Sequence, residues 1–323
     1  MSRHNNRGRL LIMIKSIFTT LLVSTILGFS FHPAWVKADS LSDHFYNVRS
    51  ERMAQPTVAE LFKAEALFRR LLTGESGPAI RREWAELGFE LTGTRSESDP
   101  LLILQELGDG ATQSSYSGKG FFVISTNRSS NIVIQSTHSF KDADSADIAL
   151  QLMANSNILA AAWNTAPITD EPHPTIPSHD PKHSKGDYIT AFTKAIMTSL
   201  HESRVVQIHT FEQDSVHSDK VKNSDIILSG YGDFPDQSIG WLNRCLKDNL
   251  GYKINTFPLD VNEMGAAENT PGAAENLVGK LLASKREHNF AHISLGSSFR
   301  KELKNYPDDR ERTYSCFSWG TTS

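Results

Sequence analysis

Two histidines and an aspartate in this chain stand where they could bind one metal ion. His138 follows the apolar run 132–134, His209 follows the run 205–208, and Asp142 lies four residues after His138. Short runs rich in Ile and Val are typical of buried strands in α/β sheets, and ligand sites of such sheets gather beyond the carboxyl ends of the strands. We therefore expect the two imidazoles and the carboxylate to converge.

Two imidazoles and one carboxylate form a ligand set that suits catalytic zinc. Zinc binds neutral imidazole nitrogen and carboxylate oxygen, and three protein ligands leave one position for water. Zinc also lowers the pKa of that water towards neutrality, which makes the water able to attack an amide carbonyl. The spacing thus predicts a zinc site formed by His138, Asp142 and His209. The alternative is that both histidines are structural and form only hydrogen bonds.

The elements that must position these residues alternate between strand and helix. The predicted strands are 101–105, 121–125, 131–134, 158–163, 204–211, 225–229 and 289–295. The predicted helices are 57–72, 78–87, 146–155, 188–200, 238–250 and 276–284. Thr57 with Glu60 three residues later is a capping-box pattern and predicts the start of the first helix. This order predicts an α/β fold with a mixed twisted sheet flanked by helices on both faces, and with an N-terminal helical segment.

The first 38 residues have the pattern of a secretory signal peptide. Its basic n-region contains Arg3, Arg7, Arg9 and Lys15, an apolar run covers 17–31, and Ala38 is a small residue at the expected cleavage point. We expect residues 39–100 to form the N-terminal helical segment and residues 101–323 to form an α/β zinc-hydrolase-like domain. The expected location is the periplasm or the exterior, with no stable membrane span after processing; a retained anchor is the alternative.

Composition and missing motifs exclude several function classes. The net charge is −4 and the basic residues are dispersed, so we expect no nucleic-acid partner. Neither a G-x-S-x-G elbow nor a glycine-rich nucleotide loop occurs, which disfavours a serine hydrolase and a nucleotide-binding protein. The cysteines Cys245 and Cys316 could form a disulfide or remain as two buried thiols, and spacing does not separate these alternatives.

Three short motifs resemble those of the zinc carboxypeptidase-like superfamily. They are QSTHSFKD at 135–142, VVQIHTF at 205–211 and HISLGSSFR at 292–300, and the resemblance covers about 131–300. The most similar branches are the phage poly-γ-glutamate hydrolases and the N-formylglutamate amidohydrolases. The resemblance implies that His138, Asp142 and His209 bind zinc. It further implies an exported hydrolase that cleaves amide bonds in acidic or peptide-like substrates.

One position departs from the superfamily pattern. A glutamate on a late core strand serves as general base in that superfamily, and the matching position here is Ser294. A serine hydroxyl does not take up a proton near neutral pH without help. Either another carboxylate replaces the base, with Glu268 and Asp260 as candidates, or hydrolysis is impaired. The second alternative describes a catalytically weak metal-binding or ligand-binding protein of the envelope.

Other residues are candidates for contact with a small-molecule or peptide-like substrate. Arg300 could bind a substrate carboxylate through two parallel hydrogen bonds, or it could form a surface salt bridge. Asn164 follows a predicted strand, where substrate contacts and turn formation are equally suitable roles. His183 lies in a long loop rich in Pro, His and Asp, where a solvated position is the alternative. His292 is predicted to be a core histidine with satisfied hydrogen bonds.

Overall fold

A computed structural model of the chain describes the molecule in several ranges. These ranges are 37–51, 53–94, 100–108, 116–127, 130–167, 186–200, 202–216, 218–230, 237–261, 278, 281 and 289–318. The chain divides into two units, 1–36 and Lys37–Ser323. All described residues belong to the second unit. Several predicted features lie outside the described residues. They are residues 1–36 of the predicted signal segment, His183, Glu268 and most of the predicted helix 276–284.

Helices and strands alternate through most of this unit. The helices are α1 (Lys37–Asn47), α2 (Val58–Leu72), α3 (Pro78–Glu86), α4 (Ser145–Asn155), α5 (Tyr188–Ser199), α6 (Asp219–Lys222), α7 (Gln237–Leu250), α8 (Ser297–Asn305) and α9 (Pro307–Ser315). The strands are β1 (Phe89–Gly93), β2 (Leu101–Glu106), β3 (Phe121–Ser125), β4 (Ile132–Ser136), β5 (Ala160–Trp163), β6 (Arg204–Phe211), β7 (Ile226–Ser229), β8 (Ile254–Thr256) and β9 (Phe290–Gly296).

All these strands join one sheet in the order β1-β2-β3-β5-β4-β6-β9-β7-β8. The central strands β5, β4, β6 and β9 are parallel to their neighbours within that group. Antiparallel pairs lie outside this group, because β3 pairs with β5, and β7 with β9, in the opposite direction. The prediction of a mixed α/β sheet is therefore confirmed.

Helices cover both faces of the sheet. Alternate residues of the central strands, such as Val133 and Val205, pack against α2, α3 and α5, and we call this side the α5 face. The intervening residues, such as Ile134 and Ile208, pack against α1, α4, α7 and α8, and we call this side the α7 face. Strands covered on both sides must be apolar at successive positions, which explains why they were recognisable as continuous Ile/Val runs.

The N-terminal helical segment also contributes to the sheet. Its helix α2 begins with the predicted capping box, in which the Thr57 side-chain oxygen accepts a hydrogen bond from the Glu60 backbone N–H. Strand β1 lies within the same segment and pairs with β2 in antiparallel fashion. The sequence pattern did not predict the strands β1 and β8 or the helices α1, α6, α8 and α9. The proposed boundary at residue 100 stays a prediction.

A disulfide joins Cys245 on α7 to Cys316 just after α9, with the Cα atoms 5.6 Å apart. It closes a loop with a sequence separation of 71 residues. Of the two alternatives left open by the sequence, the structure shows the paired one. Among the described residues, no helix has the length and apolar composition required to span a bilayer.

Candidate metal centre

The parallel pairing of β4 and β6 brings the predicted ligands to one edge of the sheet. Gln135 lies opposite Gln207 in the register, so the residues that follow β4 lie beside the end of β6. On the other side of β6, His209 lies opposite Ser294 of β9. The carboxyl ends of three parallel strands therefore meet at this edge, as expected for the ligand site of an α/β sheet.

A tight turn after β4 places His138 and Asp142 next to each other. The Asp142 backbone N–H donates a hydrogen bond to the His138 carbonyl oxygen at 2.9 Å. The Ser145 hydroxyl donates to the Asp142 carbonyl oxygen at 3.0 Å and so fixes the end of the turn. Asp144 adopts a left-handed backbone conformation with φ 61°, which reverses the chain before α4 begins. This turn produces the four-residue spacing that the sequence showed.

The three predicted ligands converge on one point. Asp142 Oδ2 lies 2.8 Å from His209 Nδ1 and 3.8 Å from His138 Nδ1. One ligand atom from each of the three residues lies within 4.8 Å of the others. Two ligands on a tetrahedral zinc ion, with bonds of about 2.0–2.2 Å, are about 3.3–3.6 Å apart. Small side-chain shifts would therefore allow the three residues to hold zinc, and the donor set fits this metal.

The exposure of the three side chains is unequal. The His209 and Asp142 side chains are 8% and 12% exposed, whereas the His138 side chain is 35% exposed. The two imidazole rings are perpendicular, with centroids 4.7 Å apart. The cluster is thus closed on the side of β6 and open on the side of His138. Water or a substrate can approach it from that side.

Thr137 contacts the other nitrogen of His209. Its hydroxyl oxygen lies 3.3 Å from His209 Nε2. In one tautomer of His209, Nδ1 donates a hydrogen bond to Asp142 and Nε2 accepts one from the Thr137 hydroxyl. In the other tautomer, Nδ1 has a free lone pair for a metal and the protonated Nε2 donates to the hydroxyl. A hydroxyl can be donor or acceptor, so this contact is compatible with both states. Such outer contacts orient metal-ligating imidazoles. The sequence motif contained Thr137, but no spacing rule selected it.

His292 lies beneath His209 on the α5 face. Their rings are stacked, with centroids 4.2 Å apart and planes inclined by 29°. Burial, followed by the proximity of His209 and His138, lowers the pKa of His292 well below its usual 6.5. His292 Nδ1 is buried and has no hydrogen-bond partner among the described residues. The prediction of a core histidine with satisfied hydrogen bonds is therefore wrong for this nitrogen.

Two glutamines, Gln207 and Gln135, lie beside His292 on the α5 face of the sheet. We call these three residues the polar row. Gln207, opposite His292 in the register, donates a hydrogen bond to Gln135 Oε1 at 3.0 Å. Gln135 donates in turn to the Thr193 hydroxyl of α5 at 2.9 Å. Both glutamines are fully buried. The polar row lies one step below the ligand edge on the α5 face, and sequence reasoning missed its two glutamines.

Ser294 is the position that the sequence resemblance matched to a general base. It is 3% exposed and lies between His209 of β6 and Ile227 of β7 in the sheet register. Of the two candidate replacement bases, Asp260 lies among the described residues and Glu268 does not. The Asp260 carboxylate accepts a hydrogen bond from the Thr256 backbone N–H at 2.9 Å. The identity of a general base stays a prediction.

The predicted substrate-binding residues have other contacts in this structure. Asn164 is buried at the end of β5, and its Oδ1 accepts a hydrogen bond from the Ala166 backbone N–H at 2.9 Å, which is turn chemistry. Arg300 is 6% exposed and forms ion pairs with Asp144 and Glu212. His183 lies outside the described residues. Their roles in binding a substrate stay predictions.

Comparison with profiles of known protein families found no match, and a search of curated proteins found none either. Solved structures with some similarity include crystal structures of candidate metallopeptidases from three Shewanella species. The S. amazonensis protein is 9% identical, with a TM-score of 0.34, over 79% of this chain and 92% of that one. The S. denitrificans protein is 9% identical, with a TM-score of 0.34, over 83% and 95%. The S. baltica protein is 8% identical, with a TM-score of 0.35, over 79% and 92%. Similarity at this level supports no argument about function.

Proposed function

We propose that this protein is an exported zinc-dependent hydrolase of amide bonds in acidic or peptide-like substrates. The observation that carries the proposal is the convergence of His138, Asp142 and His209 at the carboxyl edge of the sheet. When bound there, zinc would supply a Lewis acid and a water molecule of lowered pKa. The three residues would hold the metal, and the exposed surface beside His138 would stay accessible.

The division of labour among the three residues follows from their contacts. Asp142 would contribute negative charge from the turn, and His209 would contribute Nδ1 while Thr137 holds its Nε2. His138, the most exposed of the three, would form the wall beside an approaching substrate. The stacked ring of His292 limits movement of His209 from below, because it fills the space on the α5 face.

The disulfide supports the exported location. Disulfides persist in oxidising compartments such as the periplasm and the exterior, and they are rare in the reducing cytosol. Cys245 and Cys316 are joined, and no free cysteine remains in the chain. N-terminal sequencing of the exported protein is expected to begin at Asp39. Recovery of an intact N-terminus on a membrane-bound protein would contradict the predicted signal peptide.

Elemental analysis combined with a paired histidine substitution tests the metal. The wild-type protein is expected to contain one zinc per chain, and His138→Ala is expected to lose it while the far-UV dichroism is retained. His44→Ala is the matched control, because His44 lies on α1 and contacts Gln105 through Nδ1. Stoichiometric zinc in His138→Ala, or its loss in His44→Ala as well, would place the metal elsewhere.

A second candidate function is metal-dependent binding without efficient turnover. The serine at position 294 favours this candidate, because a serine hydroxyl does not act as a general base near neutral pH. General acid–base catalysis typically accelerates a reaction by about 10²–10⁴-fold, so a protein without the base would turn over slowly. Hydrolysis of γ-glutamyl peptides and N-acyl amino acids, measured on zinc-loaded protein, separates the two candidates. Slow wild-type turnover with a gain in Ser294→Glu would indicate a lost base. Ser294→Gln is the matched control of equal length, and a similar gain in that variant would exclude proton transfer as the cause.

A further inference from the structure

Arg300 contacts both chain segments that carry the proposed metal ligands. Its Nε lies 3.3 Å from Asp144 Oδ2, and its Nη2 lies 2.5 Å from Glu212 Oε1. Asp144 is two residues beyond Asp142 in the turn, and Glu212 is three residues beyond His209 at the end of β6. One guanidinium group therefore joins the two segments from its place in the first turn of α8.

We infer that Arg300 is a positioning residue that sets the separation between the His138–Asp142 turn and the end of β6. The inference rests on the proposed function, because the separation matters only if the two segments share a metal. A planar guanidinium can contact two carboxylates at a fixed separation, here Glu212 through a hydrogen bond and Asp144 through an ion-pair contact, which a single ammonium group does less well. Arg300 thereby acts through Asp144 and Glu212 on Asp142 and His209.

Burial restricts the arginine end of this bridge. The Arg300 side chain is 8% exposed, and removal of a buried charge from water is costly unless acidic partners remain in contact with it. Asp144 is itself held by a second cation of α8, since Lys304 Nζ lies 2.7 Å from its Oδ1. The left-handed conformation of Asp144, uncommon for a residue with a Cβ atom, is thus fixed through its side chain.

The same geometry disfavours a role for Arg300 as a clamp for a substrate carboxylate. Its Nη1 and Nε are buried with no hydrogen-bond partner among the described residues, so neither donor faces an open site. Nη2 is already occupied by Glu212. A substrate carboxylate would have to displace Glu212 before it could bind the guanidinium. The positioning role requires no such exchange.

The test compares Arg300→Gln with Lys304→Gln. Both variants remove a cation that contacts Asp144 from α8, but only Arg300 also contacts Glu212. Zinc affinity is measured by competition with a chelating dye, at a temperature where far-UV dichroism shows each variant to be folded. Arg300→Gln is expected to weaken zinc binding roughly 10–100-fold, as is typical of outer contacts, and Lys304→Gln to change it less than about twofold.

Two further measurements separate positioning from stability alone. Nuclear magnetic resonance of the imidazole rings in metal-free protein is expected to show shifted His138 and His209 signals in Arg300→Gln but not in Lys304→Gln. Arg300→Lys is expected to restore zinc affinity only partly, because one ammonium group cannot hold both carboxylates as a guanidinium does. If Arg300→Gln does not fold, Glu212→Gln breaks one side of the bridge at a half-exposed residue and is expected to shift the His209 signals.

The outcomes distinguish this inference from the proposed function. Wild-type affinity and unchanged ring signals in Arg300→Gln, with only a lower unfolding temperature, would overturn the inference and leave the zinc site intact. Equal losses in Arg300→Gln and Lys304→Gln would also overturn it, since a general charge effect would then suffice. Absence of zinc binding in the wild-type protein would overturn the proposed function, while the ring signals of the metal-free protein would still decide the positioning role.

Discussion

The two faces of the central sheet differ although the same strands form both. On the α7 face, the middle parts of β4, β6 and β9 present aliphatic side chains, such as Ile134, Ile208 and Ile293. On the α5 face, the same strands present the polar row and, one step further, the proposed metal ligand His209. Polar side chains in a buried sheet contribute less stability than aliphatic ones of similar size. We infer that the α7 face mainly stabilises the fold, whereas the α5 face near the carboxyl ends of these strands forms the proposed metal site.

Ile208 and His209 are neighbours in β6 that point to opposite faces, and they provide the most direct test. In His209→Ala, zinc affinity is expected to fall by more than the roughly 10–100-fold typical of outer contacts, because a direct ligand is removed. Its free energy of unfolding without metal should change less than that of Ile208→Ala. Equilibrium dialysis with zinc and urea unfolding measure the two quantities. If His209→Ala still binds one zinc per chain, the metal site does not lie on the α5 face at His209.

Ile208→Ala is expected to give the opposite result. Removal of a buried aliphatic side chain typically costs about 2–5 kcal/mol in the free energy of unfolding, and Ile208 is 2% exposed. Zinc affinity at temperatures where the variant is folded should stay close to that of the wild type. Ile208→Val is the graded control, with an expected cost of about 0.5–1.5 kcal/mol. A large loss of zinc affinity in Ile208→Val would show that the two faces are not independent.

The hydrogen bond within the polar row sharpens the comparison. Gln207→Leu is expected to cost about 1–3 kcal/mol, because it leaves the buried Oε1 of Gln135 without this donor. The double variant Gln135→Leu with Gln207→Leu should cost less than the sum of the single variants, because neither member of that bond then remains unpaired. A double-mutant cycle on urea unfolding measures the coupling. Strict additivity would mean that the bond between the glutamines contributes little.

Thr137→Val is expected to have the smallest effect of this set. It keeps the shape of the side chain but removes the hydroxyl that contacts His209 Nε2. We expect zinc affinity to fall roughly tenfold, at the lower end of the range for outer contacts, with little change in stability. Thr137→Ser keeps the hydroxyl and should retain affinity. Equal affinity in the valine and serine variants would show that the contact does not orient the imidazole.

The central strands were predictable from their short Ile/Val-rich runs, and most helices were predictable from their apolar periodicity. Strands covered on two faces, such as β4, begin with continuous Ile/Val runs, and α2 begins at a capping box. Strand β1 was missed because its FELTG pattern covers five residues next to a helix, and β8 was missed because it has only three residues. For such short segments the neighbouring strand, rather than local preference, determines the structure.

The proposed ligands could be predicted because each lies at or just after a strand end. The contacts around them could not, because they depend on packing between distant segments. Arg300 and Glu212 are 88 residues apart, and no spacing rule joins them. The unpaired Nδ1 of His292 is likewise a property of the assembled sheet and not of its local sequence. Direct ligands thus follow from local pattern, whereas the residues that orient them follow from tertiary structure.

The disulfide has a consequence for proteolysis of this chain. The segment between Cys245 and Cys316 contains β9 and α8, and so it includes Ser294 and Arg300. A protease that cuts the backbone once within this segment would produce two fragments that remain joined through sulfur. Electrophoresis should then show one full-length band without reductant and two bands with it. A nicked chain would keep its central strand attached to the rest of the sheet until the disulfide is reduced.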